Sequence, residues 1–362
     1  MKFLNLLLLL LFCSLSAQTN YLSDLDEKSD KIVKNFRDKH SIPGISISIS
    51  IKNELIYTKG FGYADLEQKK PVNPALTKFR IASISKTITA ITLAKLQEEG
   101  KIDIKESIYK YLDSLPNIGY QITVESLLSH RSGLIRDYER NILCGKNDFH
   151  KVNFNSSFTE NKFQYRPETR FSYSNYGYKL LGILIEKVSQ KTITEAKKDY
   201  VISKLGLKNT VPETNLSDEN ISKFYYKKFG KMLEVPCIDC SFNYGPGCYL
   251  STSEDLVRLG NGYLYKNQLI SENSFRNLIK TRNEDKNYGL GFMVMRDYYK
   301  NYFFGHNGSY PGAASYLRIY PANELVISVL MNYRDDIIIS ELDSFVSEVV
   351  YNYVEKNNKK KN

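Results

Sequence analysis

The stretch "FRIASISKTITA", residues 79–90, sets one lysine inside a run of small and apolar residues, three places after a serine. A serine hydroxyl is a poor nucleophile at neutral pH and needs a base beside it. On a helix, side chains three apart lie about 5–6 Å from each other at Cβ, so Lys86 can reach Ser83. Lys86 is the only charged residue between Arg80 and Lys95. That setting predicts a partly desolvated ammonium whose pKa is pushed down, making a usable base. Ser83 at the start of the predicted helix also brings a backbone amide, and the positive end of the helix dipole, to a developing oxyanion. Spacing by itself carries little, because "SIYK" at 107–110 repeats it. There the flanks "GKIDIKE" and "YLDSLP" are charged and amphipathic, and Lys110 is expected to be solvated. The uncharged surroundings single out Lys86.

Two later stretches add groups of matching chemistry. In "FSYSNYGY", residues 171–178, Tyr173 and Asn175 are two apart, so an extended segment entering the following helix points both the same way. A phenol can pass a proton to a leaving group and a carboxamide can hold a substrate carbonyl. An aromatic helix entry with Asn175 as its cap is the plainer reading. In "GHNGSYPG", residues 305–312, Gly308 at a strand edge allows close backbone approach, so an extended substrate could pair there as an added strand. His306 is then expected beside the nucleophile as a polar or cationic group, giving the rate an apparent pKa near that of histidine.

The rest of the chain reads as α+β. "YLSDLDEKSDKIVKNFRDKH" from Tyr21 has an amphipathic helical pattern, and "GISISISIKN" followed by "ELIYTKGFGY" reads as a β-hairpin with one face buried. Residues 81–99 look helical and apolar on nearly all sides, with Gly100 as a stop. From about 101 to 240, helical stretches such as "YGYKLLGILIEKVSQ" alternate with polar, aromatic loops. Strand patterns return in "YGLGFMVMRD", "NYFFGHNG", "AASYLRIYP" and "ELVISVLMNY", and a helix from about 337 to 355 precedes a basic tail at 356–362. The outline is an antiparallel sheet flanked by helices. The sheet lobe comes from about 21–80 and 245–355, with a helical lobe inserted over about 81–244.

Composition bounds the function classes. A chain of 362 residues, 42% hydrophobic and 25% charged, is long enough for a large core. The net charge of +10 is spread without a basic block outside the tail, which favours a solvated surface over nucleic-acid binding. The opening "MKFLNLLLLLLFCSLSAQTN" has Lys2, an apolar run to Phe12 and small residues to Ala17, the pattern of a secretory signal peptide over 1–17. An uncleaved anchor is the alternative, and no later stretch reaches membrane-spanning length. Export permits disulfides among Cys144, Cys237, Cys240 and Cys248. "CIDC" at 237–240 could also be half of a zinc site, but no histidine lies near it.

Together these stretches resemble the serine β-lactamase and penicillin-binding protein superfamily, particularly its class C and D-alanyl-D-alanine carboxypeptidase-like branch. Ser83 to Lys86 matches the nucleophile motif, Tyr173 to Asn175 the second motif, and His306–Asn307–Gly308 the third. "EEGKIDIKESIYKYL", "LLSHRSGL", "GPGCYLSTSEDLVRLGNGYL", "YGLGF" and "ELVISVLMN" look like family segments in family order, over about 24–350. The resemblance implies a β-lactamase/transpeptidase-like fold and acyl transfer with no cofactor and no metal. It implies Ser83 as nucleophile, Lys86 as base and Tyr173 as proton relay. It further implies Asn175 as the group orienting the substrate amide, and backbone amides of Ser83 and Ser309 as the oxyanion hole. Many members carry lysine where His306 stands, so β-lactam hydrolysis in particular is not implied. The expected substrates are D-amino acid peptides, peptidoglycan fragments among them, β-lactams or small esters, met in the periplasm or outside the cell. A non-catalytic sensor of wall fragments on the same fold is the competing expectation.

Overall fold

The computed structural model describes residues 25–136, 142, 143, 159, 162–214, 217–239, 243–265, 269–284 and 287–359, with side chains to 354. The signal-peptide pattern at 1–17, most of the 135–170 loop and the side chains of the basic tail lie outside the described residues. The strands in chain order are β1 (Gly44–Ile51), β2 (Glu54–Asp65), β3 (Lys70–Pro71), β4 (Phe79–Arg80), β5 (Ile142–Leu143), β6 (Val211–Pro212) and β7 (Tyr225–Lys228). They continue with β8 (Lys231–Glu234), β9 (Ile238–Asp239), β10 (Tyr249–Ser251), β11 (Met293–Arg296), β12 (Tyr302–Tyr310), β13 (Ala313–Tyr320) and β14 (Leu325–Met331). The helices are α1 (25–40), α2 (Ser85–Glu98), α3 (Val124–Leu128), α4 (Asn175–Ser189), α5 (Ile193–Lys197), α6 (Ser253–Leu264), α7 (Glu272–Ile279) and α8 (Asp336–Lys359).

Helices α1 and α8 form one compact unit and residues 42–335 another. Within the first, Phe36 stacks on Phe345 with ring centroids 4.1 Å apart, and the Ser29 hydroxyl donates to the Tyr353 phenol at 3.1 Å. Within the second, a seven-stranded antiparallel sheet runs in the order β11-β12-β13-β14-β1-β2-β3. Its strands come from both ends of the unit, and the helix-rich segment lies between them in sequence, as the pattern of strands and helices predicts.

One expectation about the hairpin is corrected. Alternating isoleucine and serine suggests one buried face, yet all of Gly44–Ser50 is buried. The cause is position: β1 lies between β14 and β2, and its serine face receives α6. Ser46 and Ser48 hydrogen-bond the Ser253 hydroxyl at 2.7 and 2.8 Å, and Ser50 donates to Asn261 Oδ1 at 3.0 Å. Small side chains let a helix lie close, and their hydroxyls are satisfied by its polar groups. "YGLGF" is likewise not a continuous strand: Tyr288 bridges to Met293, the chain bends at Leu290 and Gly291, and Gly291 N donates to the Leu128 carbonyl at 3.2 Å.

Helix α2 is buried from Ser85 to Ala94, as an all-round apolar helix should be. It ends where Gly100, at φ +70°, bonds the Gln97 carbonyl and Lys101 bonds that of Leu96, a Schellman pair. The decoy at 107–110 separates cleanly. Ser107 caps its own short turn, while the exposed Lys110 pairs with Glu106 at 3.2 Å.

A three-stranded sheet, β4-β10-β6, sits at the entry to α2. There Arg80 donates to Glu213 Oε1 at 2.8 Å, with both side chains at most 5% exposed, and to the Pro311 carbonyl at 3.0 Å. Removing one partner of a buried ion pair strands the other charge. Glu213→Ala is therefore expected to cost about 3–5 kcal/mol of stability, read as a lowered urea midpoint with an unchanged slope.

Candidate active site

The approach to α2 is not itself α-helix. Ala82–Ile84 forms one 3-10 turn, Ala82 has φ +45°, and Ser83 sits on that turn ahead of the helix. A left-handed backbone at a non-glycine residue is sparsely populated and persists only where the surroundings impose it. Here they do. The Ile81 carbonyl accepts from the Ser315 hydroxyl at 2.8 Å, and Ile81 N donates to the Tyr249 carbonyl at 3.0 Å. A Cβ on Gly308 would lie 2.3 Å from the Ile81 carbonyl and 2.1 Å from Ser315 Oγ. The close approach allowed by Gly308 is thus used by the chain's own nucleophile turn, packed against β12.

Lys86 is wholly buried, and its Nζ donates to Ser83 Oγ at 3.0 Å, Asn175 Oδ1 at 2.8 Å and the Pro246 carbonyl at 3.1 Å. The ring of Tyr173 lies 4.9 Å from the same nitrogen and that of Tyr178 5.3 Å. Asn175 is not the cap of α4. Ser174 takes that role, accepting from Gly177 N at 2.9 Å, which leaves the Asn175 carboxamide turned to Lys86. An ammonium has three protons to donate, and Ser83, Asn175 and Pro246 each offer it an oxygen. When the amine is neutral, only the Ser83 hydroxyl among the three partners can reverse its role and donate, because the other two are carbonyl oxygens.

His306 departs from expectation. It is buried, does not line the cleft, and contacts the Tyr288 phenol through Nε2 at 3.0 Å and the Asn307 carbonyl through Nδ1 at 2.6 Å. Burial, then the charge of Lys86, pushes its pKa down to about 3. His130, fully buried, is also held well below the ordinary histidine value by burial, then Lys86, then His306. Ser174 N donates to His130 Nδ1 at 3.0 Å, and His130 Nε2 lies 3.1 Å from the Tyr288 phenol. A backbone donor fixes one end of this chain and a backbone acceptor the other. Both histidines are therefore neutral with defined tautomers: His130 carries its proton on Nε2, and His306 on Nδ1. Tyr288 joins them, accepting from His130 and donating to His306.

Ser83, Asn175 and Ser309 line one cleft of about 610 Å³, with Tyr226, Val235, Pro246 and Tyr310 among its other walls. Its cations are Arg136 and Arg334, and no carboxylate lines it among the described residues. Arg334 Nη1 donates to Ser309 Oγ at 2.7 Å, and the Arg136 guanidinium lies 5.7 Å from the Tyr173 ring. Sequence reasoning misses His130, Tyr288, Arg136, Arg334 and the Pro246 carbonyl. His130, Pro246 and Tyr288 lie in stretches noted for their family likeness, Arg136 and Arg334 in none, and the fold brings them together. Cys248 also lines the cleft. Cys248 and Cys237 each take part in a disulfide, in keeping with the disulfide reading, while Cys144 and Cys240 lie outside the described residues.

Comparison with known proteins agrees with this geometry. The Beta-lactamase family profile matches residues 29–337. The serine beta-lactamase-like protein LACTB of Homo sapiens, a mitochondrial protein, is 28% identical over 327 residues, covering 70% of this chain and 59% of that protein. The chain thus spans about three fifths of the length of such curated relatives. Among solved structures, a penicillin-binding protein homologue from Pyrococcus abyssi superposes with a TM-score of 0.75 at 26% identity, covering 85% of this chain and 73% of that one. A class C beta-lactamase, at 20% identity, shares the fold with a TM-score of 0.75, covering 92% of this chain and 96% of that one. The chain belongs to the beta-lactamase family and has the β-lactamase/transpeptidase-like fold of the serine β-lactamase and penicillin-binding protein superfamily.

Proposed function

We propose that this protein is an exported serine hydrolase that forms an acyl-enzyme on Ser83, with D-amino acid peptides as the favoured substrates and β-lactams or small esters within its range. The observation that carries the reading is the 3.0 Å contact from Lys86 Nζ to Ser83 Oγ, in a buried amine that also donates to the carbonyl oxygens of the Asn175 side chain and Pro246. In its neutral form Lys86 takes the Ser83 proton as Oγ bonds the substrate carbonyl carbon. Backbone amides of Ser83 and Ser309 hold the oxyanion, and Asn175 orients the substrate amide. Tyr173 passes the proton from Lys86 to the leaving nitrogen or oxygen as that bond breaks. Water then attacks the acyl ester, releasing the acid and restoring Ser83. No cofactor has a part in these steps.

The cleft also favours an anionic substrate. With His306 neutral, positive potential at the mouth comes from Arg136 and Arg334, and a guanidinium pairs well with a carboxylate such as a peptide C-terminus. Export is supported by the pattern of residues 1–17 and by the disulfide-bonded Cys237 and Cys248, since disulfides persist in oxidising compartments.

Incubation with a fluorophosphonate probe is expected to add its mass to the parent protein and not to Ser83→Ala. Lys86→Ala is expected to lose at least about 10³-fold in kcat on an ester that the parent turns over. A parent protein that takes up no acylating probe and turns over no ester, amide or β-lactam would be a binding protein instead. Arg334→Ala should raise KM about tenfold for a peptide with a free C-terminal carboxylate, leaving kcat and a neutral ester nearly unchanged.

Two expectations follow for pH. The rate should carry no His306 titration between about pH 5 and 8, because that group stays neutral there. Stability behaves differently. The folded pKa of His306 lies below its unfolded value, so below about pH 6.5 the unfolded chain binds a proton that the folded one does not. His306 therefore costs nothing above that pH and lowers stability by about 1.4 kcal/mol per unit as pH falls toward its folded value. Urea unfolding of His306→Asn from pH 7 to 4 should show a shallower acid loss than the parent by that slope.

A further inference from the structure

The hairpin formed by β7 and β8 breaks two rules of local structure at its tip. Phe229 and Gly230 make its two-residue turn with φ of +48° and +76°. Such turns favour asparagine, aspartate or glycine, and a bulky aromatic there is strained. Phe229 gains no packing in return, being 92% exposed. Directly before and after it, Lys228 and Lys231 face each other across the strands, a like-charge pair that opposes hairpin formation. Lys227 adds a third exposed ammonium, and among the described residues none of the three forms an ion pair. Lys228 Nζ lies 5.5 Å from the Phe229 ring, which is the contact made at this tip. A feature that costs folding stability without an internal return points to a partner outside the chain.

We infer that this hairpin docks on an anionic lipid bilayer, with Phe229 entering the interface and Lys227, Lys228 and Lys231 meeting the headgroups. The charge is complementary to acidic lipid, and an exposed aromatic ring flanked by lysines suits the headgroup–acyl boundary. A polyanion alone would use the lysines and leave the ring in water. The placement also has a consequence for the cleft. Tyr226 pairs with Leu233 at the hairpin base, on the face shared by Lys228 and Lys231, and Tyr226 and Val235 line the cleft that holds Ser83. Docking therefore brings the cleft mouth toward the membrane surface. Nothing in this inference depends on the reaction proposed for Ser83.

The chain contains no tryptophan, so F229W provides a single indole reporter at the tip. Its emission should shift to the blue on adding vesicles of phosphatidylcholine with phosphatidylglycerol. Phosphatidylcholine alone should give no shift, and added salt should reverse it. The parent should co-sediment with the mixed vesicles, and each lysine changed to alanine should weaken partitioning roughly fivefold. Phe229→Asn, which suits the left-handed turn, should weaken partitioning about tenfold. The same variant should melt no lower than the parent and hydrolyse a soluble ester at the parental rate. Absence of any shift with the mixed vesicles overturns the inference. So does a Phe229→Asn variant that binds vesicles, and polyglutamate, as well as the parent does, for that contact is electrostatic and needs no bilayer.

Discussion

The buried amine of Lys86 is the constraint around which the site is arranged. An ammonium taken out of water is costly unless polar atoms replace its hydration, and the three oxygens that do so come from three separate places in the chain. They are Ser83 on the turn before α2, Asn175 in the first turn of α4, and the Pro246 carbonyl in the loop before β10. Satisfying one side chain therefore fixes where a helix, a turn and a loop meet. Lys197 repeats the device nearby: it too is wholly buried, and it donates to the carbonyls of Tyr244 at 2.5 Å and of Ser85 and Gly245 at 3.4 Å. Burial holds its pKa well below the ordinary lysine value. Two buried amines thus tie the start of α2 to the 244–246 loop, one with its donors spent on backbone and the other with one donor on the nucleophile.

The nucleophile turn is held from the opposite side by β12 and the strands around β4. Ala82 keeps its left-handed conformation because Ile81 is fixed at both its amide and its carbonyl, and because Gly308 leaves room for it. Arg80, one residue before Ile81, is anchored by Glu213 and by the Pro311 carbonyl just after β12. The strain at Ala82 is thus borne by a buried ion pair and a close glycine contact.

Much of this was legible in the residues, and the reasons for the gaps are physical. The run around Lys86 predicts both its burial and its partner, since an uncharged helix leaves a lone amine few alternatives. The strands of the sheet follow from alternation and turn residues. What alternation could not say is that β1 is covered on both faces, because serine reads as solvent-facing whether it meets water or a helix such as α6. Nor could it say that His306 is neutral. Its protonation is set by burial and then by the charge of Lys86, and both arise only when distant segments converge in the folded chain. Asn175 was half legible: its place at a helix entry was clear, but whether it or Ser174 capped the helix depended on which side chain the Lys86 amine would claim.

The neutral His306 changes what kind of recognition the cleft can offer. Where a lysine in the third motif would place a cation beside the reacting centre, this chain places a directed hydrogen-bond chain that ends on a backbone carbonyl. Positive charge is displaced outward to Arg136 and Arg334, which line the cleft. In the proposed reaction the two tasks are thereby separated. Lys86, buried behind the cleft wall, exchanges a proton with Ser83. A substrate carboxylate is met at the mouth by Arg136 and Arg334, so its binding and the proton transfer draw on different parts of the molecule.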